Sequence, residues 1–196
     1  MNKLKIIFLD FDGVISTHEK GMKLDIEKVA LLEEILSATG AKIVVTSSWR
    51  VGTRNKDEFV NKLFNFHKSK DIVSDCPIFV NSIYDVTDTM GNDRGEEIQR
   101  WIDKHENEID QYVILDDENE YSDEQLFNFV QVDEYEGLTI REVKLCIKML
   151  NGERIEFPSR INRELTFRRM LRYKDMENFH NNIDSLTTEY FMRFKK

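Results

Sequence analysis

The chain has 196 residues, 40% of them hydrophobic, and a formal net charge of −9. Such a composition suits one globular domain with at most an appendage, and it excludes a wholly disordered chain. No apolar stretch approaches the ~18 residues needed to span a bilayer, and an acidic body argues against a general nucleic-acid binder, whose affinity comes from neutralising phosphates.

The first expected element is Ile6-Ile7-Phe8-Leu9, a short continuous apolar run that reads as a strand buried on both faces of a parallel sheet. It ends in Asp10-Phe11-Asp12-Gly13. At a strand's C-terminal edge Asp10 and Asp12 leave the sheet together while Phe11 turns inward. Gly13 lets the chain bend away with no side chain blocking the space. Two acids this close repel unless a cation sits between them, and hard oxygen ligands suit Mg²⁺. A solvated strand end or a Ca²⁺ loop would present the same residues. The residues before Ile6 imitate a signal peptide only faintly, because Asp10 and Asp12 interrupt the apolar run too early.

Asp25 is expected to cap a helix carrying Val29, Leu32 and Leu36 and stopped by Gly40. The second strand, Lys42–Thr46, runs into Ser47-Ser48-Trp49-Arg50. A Thr hydroxyl and the backbone N–H groups after it suit phosphate oxygens, and Arg50 could add a bidentate contact. An ordinary polar turn is the plainer reading of this segment. Trp49 reads as buried packing, with stacking on a terminal base as the alternative if it is exposed. Asp57 starts a helix with Val60, Leu63 and Phe64, and Ile78–Val80 reads as a weaker third strand.

Asp93 with Glu96 forms a capping-box pattern for a helix bearing Ile98, Trp101 and Ile102, with Arg94 at its head as a fixed cation. The fourth strand, Tyr112–Leu115, is followed by Asp116-Asp117-Glu118, three acids whose mutual repulsion a bound cation would relieve. Ser122 with Gln125, and Thr139 with Glu142, repeat the capping signal on either side of a fifth strand at Phe129–Val132. The last helix sets Val143, Cys146, Ile147 and Leu150 on one face.

Strands alternating with helices predict an α/β fold with a mainly parallel five-stranded sheet covered on both sides. Right-handed crossovers then bring every strand's C-terminal end to one edge, where open sheets of this kind bind ligands. The polar clusters fall at that edge. Asn151-Gly152 reads as a turn, dividing a domain over 1–150 from a mainly helical extension over 151–196. The extension carries ten Lys/Arg against seven Asp/Glu, which leaves 18 basic and 30 acidic residues in 1–150. Cys76 and Cys146 are isolated and lack metal-ligand spacing, so a reducing, cytoplasmic setting is the expectation.

Together these segments resemble the haloacid dehalogenase (HAD) superfamily of phosphotransferases, over about residues 4–150. Phe8-Leu9-Asp10-Phe11-Asp12-Gly13-Val14 is similar to its first motif, Val44-Val45-Thr46-Ser47 to its second and Leu115-Asp116-Asp117 to its fourth. Arg94 stands at the position of the basic third motif, where the superfamily more often has Lys. Thr46-Ser47-Ser48-Trp49-Arg50, Arg94-Gly95-Glu96-Glu97-Ile98 and Gly137-Leu138-Thr139 resemble the HAD domains of nucleic-acid end-repair proteins, and a related likeness is to the 3′-phosphatase half of polynucleotide kinase-phosphatases.

The resemblance implies a three-layer Rossmann-like fold and a phosphomonoester hydrolase. Asp10 is then the nucleophile, giving an aspartyl-phosphate, and Asp12 the acid and base. Thr46, Ser47, Arg50 and Arg94 hold the phosphoryl group. Mg²⁺ is held by Asp10, by Asp12 through its backbone carbonyl, and by Asp116 and Asp117. Little room is left for an inserted cap, so a minimal cap or none is expected, with an open site suited to a phosphate at an RNA or DNA end, and no membrane partner. A phosphatase of free nucleotides or other small phosphoesters is the alternative enzyme. A phospho-accepting signalling or binding module is the alternative outside enzymes, and the early Asp-x-Asp-Gly counts against it.

Overall fold

The computed structural model describes residues 3–17, 23–66, 75–89, 93–119, 121–153 and 155. Seven strands and six helices are present among them. In chain order these are β1 (Leu4–Leu9), β2 (Ser16–Thr17), β3 (Lys23–Leu24), α1 (Ile26–Thr39) and β4 (Lys42–Val45). A 3-10 turn over Ser48–Arg50 precedes α2 (Lys56–Phe66), α3 (Pro77–Ser82), β5 (Ile83–Val86) and α4 (Arg94–His105). The chain continues through β6 (Ile109–Asp116), α5 (Asp123–Leu126), β7 (Phe129–Gln131) and α6 (Ile140–Leu150).

Five strands form one parallel sheet in the order β5-β4-β1-β6-β7, and β2 and β3 form a separate antiparallel pair. From β1 the chain steps outward to β4 and β5, then returns to build β6 and β7 on the other side. The order therefore reverses beside β1, and the crevice at such a reversal is where open α/β sheets take their ligands. This is the expected three-layer, Rossmann-like α/β architecture.

The sheet is apolar on both faces because helices cover both. Ile7, Leu9, Ile43, Val45, Val113 and Leu115 share a core with Val29, Leu32 and Leu36 of α1 and Val143, Cys146 and Leu150 of α6. On the opposite face Phe8 meets Trp101 of α4 edge-on, ring centroids 5.5 Å apart. Burying each such side chain contributes about 1.5–3 kcal/mol, which offsets the cost of keeping charged groups at the sheet's edge.

Several helix ends follow their sequence signals. Asp25 accepts from the Glu27 N–H at the head of α1, and Gly40, at φ 67°, closes it in the left-handed conformation. Asp93 accepts from the Glu96 N–H. Ser122 with Gln125, and Thr139 with Glu142, form reciprocal capping boxes, although the first opens a helix of only four residues.

One strand is displaced from its expected place. Ile78–Val80 lies in α3, and the third sheet strand is Ile83–Val86, paired with β4. Pro77 occupies the first helical turn, where a fixed φ and a missing N–H cost nothing, so the short apolar run after it becomes helical. Between β1 and β4 the described residues form only the β2–β3 pair and α1; between β4 and α4 they form the 3-10 turn, α2, α3 and β5. Among the described residues no helix is long and apolar enough to cross a membrane. Of the extension expected over 151–196, only 151–153 and 155 are described; 151 and 152 make the expected turn.

Candidate active site

Sheet register brings the acids together. Leu9 pairs with Leu115 across β1 and β6, and the Asp10 N–H donates to the Leu115 carbonyl at 3.1 Å. The next residues on the two strands, Asp10 and Asp116, therefore emerge side by side. On the other flank Leu9 pairs with Val45, and the Thr46 N–H donates to the Leu9 carbonyl at 3.0 Å. Asp10, Thr46 and Asp116 thus sit at three adjacent strand ends, all buried.

Asp10, Asp116 and Asp117 each offer a carboxylate oxygen, and these oxygens lie within 4.8 Å of one another. Gly13 makes room for the third. At φ +73°, a Cβ placed on it would stand 2.5 Å from Asp117 Cγ, closer than two carbons can approach. Gln131 Nε2 donates to the Asp117 backbone carbonyl at 3.3 Å, bracing the same turn from β7.

Three carboxylates in this space need compensation, and Arg94 supplies part of it from the head of α4. Its Nη1 donates to Asp10 Oδ2 at 3.0 Å and also to Asp116 Oδ2. Burial works against the guanidinium's charge, but Asp116 and Asp10 outweigh it and hold the group protonated. Asp116 further accepts from the Tyr121 hydroxyl and, at 2.8 Å, from the Glu118 N–H.

Asp10 remains under-compensated. Burial first, and the charge of Asp116 second, push its carboxyl up to about 7, against the opposing pull of Arg94, the Phe11 N–H and Ser47. Its Oδ1 is buried and accepts no hydrogen bond among the described residues. The Thr46 hydroxyl is in the same position. An orphaned carboxylate oxygen within a set of hard oxygen donors fits a small divalent cation.

Asp12 stands apart from the cluster. Both its carboxylate oxygens accept from the Trp49 indole N–H, at 3.0 and 2.9 Å. Trp49 is buried, with its ring tilted against Phe11 at 5.5 Å. That agrees with packing rather than exposed stacking, but the contact with Asp12 was not foreseen. Ser47, also buried, accepts from the Trp49 N–H at 3.4 Å and so caps the 3-10 turn.

Arg50 requires a correction. It was expected to grip phosphate, yet its guanidinium is buried and all five N–H groups are engaged internally. Nε donates to the Thr87 carbonyl at 3.2 Å. Nη1 donates to the carbonyls of Thr46 and Ser47, and Nη2 to the Asp88 carbonyl at 3.2 Å and to Glu97 Oε2. A guanidinium has five donors and none is left for a ligand. Arg50 instead fastens the ends of β4 and β5 to α4, the helix that carries Arg94.

Two residues of the site went unnoticed in the sequence: Tyr121, which reaches Asp116 across a loop, and Glu97, the buried partner of Arg50. Glu97 lay inside a segment singled out for its resemblance, and a carboxylate one turn beyond Arg94 was the available signal. Nothing local to Tyr121 marked it.

A Rossmann-like sheet with Asp-x-Asp-Gly after its central strand, a Thr after the neighbouring strand, a basic helix head and an acid pair on the fourth sheet strand defines a phosphatase-type hydrolase of the HAD superfamily. Within that class the match is narrower: residues 6–143 fit the model of the HAD domain in Swiss Army Knife RNA repair proteins, and the chain belongs to that family. No curated protein and no solved structure gave a match.

Proposed function

We propose that this protein is a Mg²⁺-dependent phosphomonoesterase that works through an aspartyl-phosphate and acts on the 3′-phosphate ends of nucleic acid. The observation that carries the reading is the trio of buried carboxylates, Asp10, Asp116 and Asp117, within 4.8 Å of one another beside Arg94. Three buried acids with one guanidinium among them leave negative charge that a bound divalent cation would offset.

Asp10 attacks phosphorus through a carboxylate oxygen, and the P–O ester bond breaks toward the leaving oxygen. Asp12, on the same loop, gives that oxygen a proton. It then takes one from the water that attacks phosphorus and returns Asp10 to its free carboxylate. Thr46, Ser47 and Arg94 bind the phosphoryl oxygens as charge spreads over them. Mg²⁺ would be held by Asp10, Asp116 and Asp117 with the Asp12 carbonyl, and it supplies positive charge that lets a phosphate dianion approach the acids.

The substrate class rests on two supports. The family's description is of RNA repair. Among the described residues, the segments that follow β1 and β4 hold short elements and no inserted domain that would enclose a small molecule. Catalysis is assigned to 1–150, and 151–196, with ten Lys/Arg against seven Asp/Glu, to a separate basic extension. The test is phosphate release from 3′- and 5′-phosphorylated RNA and DNA oligomers and from mononucleotides, with Mg²⁺ or with chelator. Preference for 3′-phosphorylated oligomers supports the proposal; preference for mononucleotides replaces the substrate, and release undiminished by chelator removes the metal.

A further inference from the structure

We infer that Trp49 is a positioning residue for the acid–base step, holding the Asp12 carboxyl through its indole N–H. The inference rests on the reading of Asp12 given above and adds the group that orients it. A carboxyl that must hand a proton to a leaving oxygen and later accept one from water needs a fixed direction, because proton transfer falls off steeply with misalignment. On a loop, Asp12 would otherwise turn about two side-chain bonds.

The geometry supplies that direction in three ways. First, the indole nitrogen is nearly equidistant from the two carboxylate oxygens, at 3.0 and 2.9 Å. The N–H is therefore shared by both oxygens, which fixes the direction of the carboxyl plane. Second, the indole is itself immobile: it is buried, packed 5.5 Å from Phe11, and Phe11 in turn meets Phe59 and Phe79. Third, Trp49 lies in the turn that follows Thr46. Ser47 caps that turn, and Arg50 fixes it by bonding to the Thr46 and Ser47 carbonyls. The acid–base group and the phosphate-binding turn are thereby placed by one rigid piece of chain. Nothing in the apolar packing of a tryptophan requires its N–H to point at a carboxylate, and indole is a donor only.

The test exploits the leaving group. A phenolate is basic enough to need a proton as it departs, whereas the far less basic p-nitrophenolate leaves without one. Phenyl phosphate and p-nitrophenyl phosphate are assayed on the same samples of native protein, Trp49→Phe, Asp12→Asn and Asp10→Asn. Trp49→Phe keeps the ring against Phe11 and removes the N–H. The inference predicts that its ratio of kcat/KM on phenyl to kcat/KM on p-nitrophenyl phosphate falls by roughly tenfold or more, in the same direction as Asp12→Asn, within the range that general acid catalysis contributes. That ratio reports the step that expels the leaving group and not the shared hydrolysis of the aspartyl-phosphate. Because both substrates are read on one sample, partial misfolding cancels from the ratio. An unchanged ratio in Trp49→Phe with a lowered ratio in Asp12→Asn overturns the inference and leaves the reading of Asp12 standing. An unchanged ratio in Asp12→Asn, or turnover by Asp10→Asn, overturns the reading and the inference with it.

Discussion

Gly13 and Asp117 occupy what would be overlapping space if Gly13 carried a side chain: an added Cβ would lie 2.5 Å from Asp117 Cγ and 2.8 Å from its Oδ1. The two residues belong to loops far apart in sequence, after β1 and after β6, and their contact closes one side of the carboxylate cluster. The glycine is needed twice, for a φ of +73° and for the absence of that carbon. Gly13→Ala should therefore push Asp117 aside. The expected result is destabilisation of about 1–3 kcal/mol together with roughly tenfold or greater weakening of Mg²⁺ binding, measured by denaturant titration and calorimetry.

Arg50 and Glu97 form a buried ion pair in which every guanidinium N–H is used. Removing one partner of such a pair leaves the other charged and unsolvated, so Glu97→Ala should lose about 3–5 kcal/mol. Arg50→Lys retains the charge but has only three donors, and it should also be clearly destabilised. Both variants should lose activity in proportion to the rise in unfolded or misassembled protein, as read by comparing chemical denaturation with phosphate release.

Burial first, and the charge of Asp116 second, push the Asp10 carboxyl from an ordinary value of 3.8 up to about 7 in the folded protein. Between those values the folded state holds a proton that the unfolded chain has released. In chelator, the stability from this group is therefore complete below about pH 3.8 and is lost as pH rises through about 7. Asp10→Asn should abolish that part of the pH dependence and be at least as stable as the native protein near neutrality. Added Mg²⁺ should stabilise the native chain more at pH 8 than at pH 5, because it binds the ionised form. Thermal unfolding across pH, with and without metal, checks all three statements.

Tyr121 donates its hydroxyl to Asp116, a carboxylate also held by Arg94 and the Glu118 N–H. Outer hydrogen bonds of this kind orient metal ligands. Tyr121→Phe should weaken Mg²⁺ affinity by about 10–100-fold with little change in overall stability, as measured by metal titration of activity and of intrinsic fluorescence.

What the sequence made legible were the groups whose position follows from strand ends. Asp10, Thr46 and Asp116 each end an apolar run, and the parallel register converts that into adjacency without further information. Arg94 was placed by its capping signal, since Asp93 fixes where α4 begins. The third strand was misplaced because three apolar residues satisfy a helix or a strand equally, and Pro77 decided between them. The roles of Arg50, Trp49 and Tyr121 depend on which carbonyl or carboxylate lies opposite each polar head in three dimensions. No periodicity encodes that. For Arg50 the outcome reversed the expectation, because burial makes internal satisfaction of five donors mandatory.

The central claim is that Asp10 takes up the phosphoryl group. The most direct measurement is acid-quench trapping with a radiolabelled phosphomonoester in Mg²⁺, followed by peptide mapping. Label that is stable in acid, removed by hydroxylamine, located on Asp10 and absent from Asp10→Asn is the predicted result. Turnover with no trapped label on Asp10, and comparable turnover by Asp10→Asn, would contradict the account.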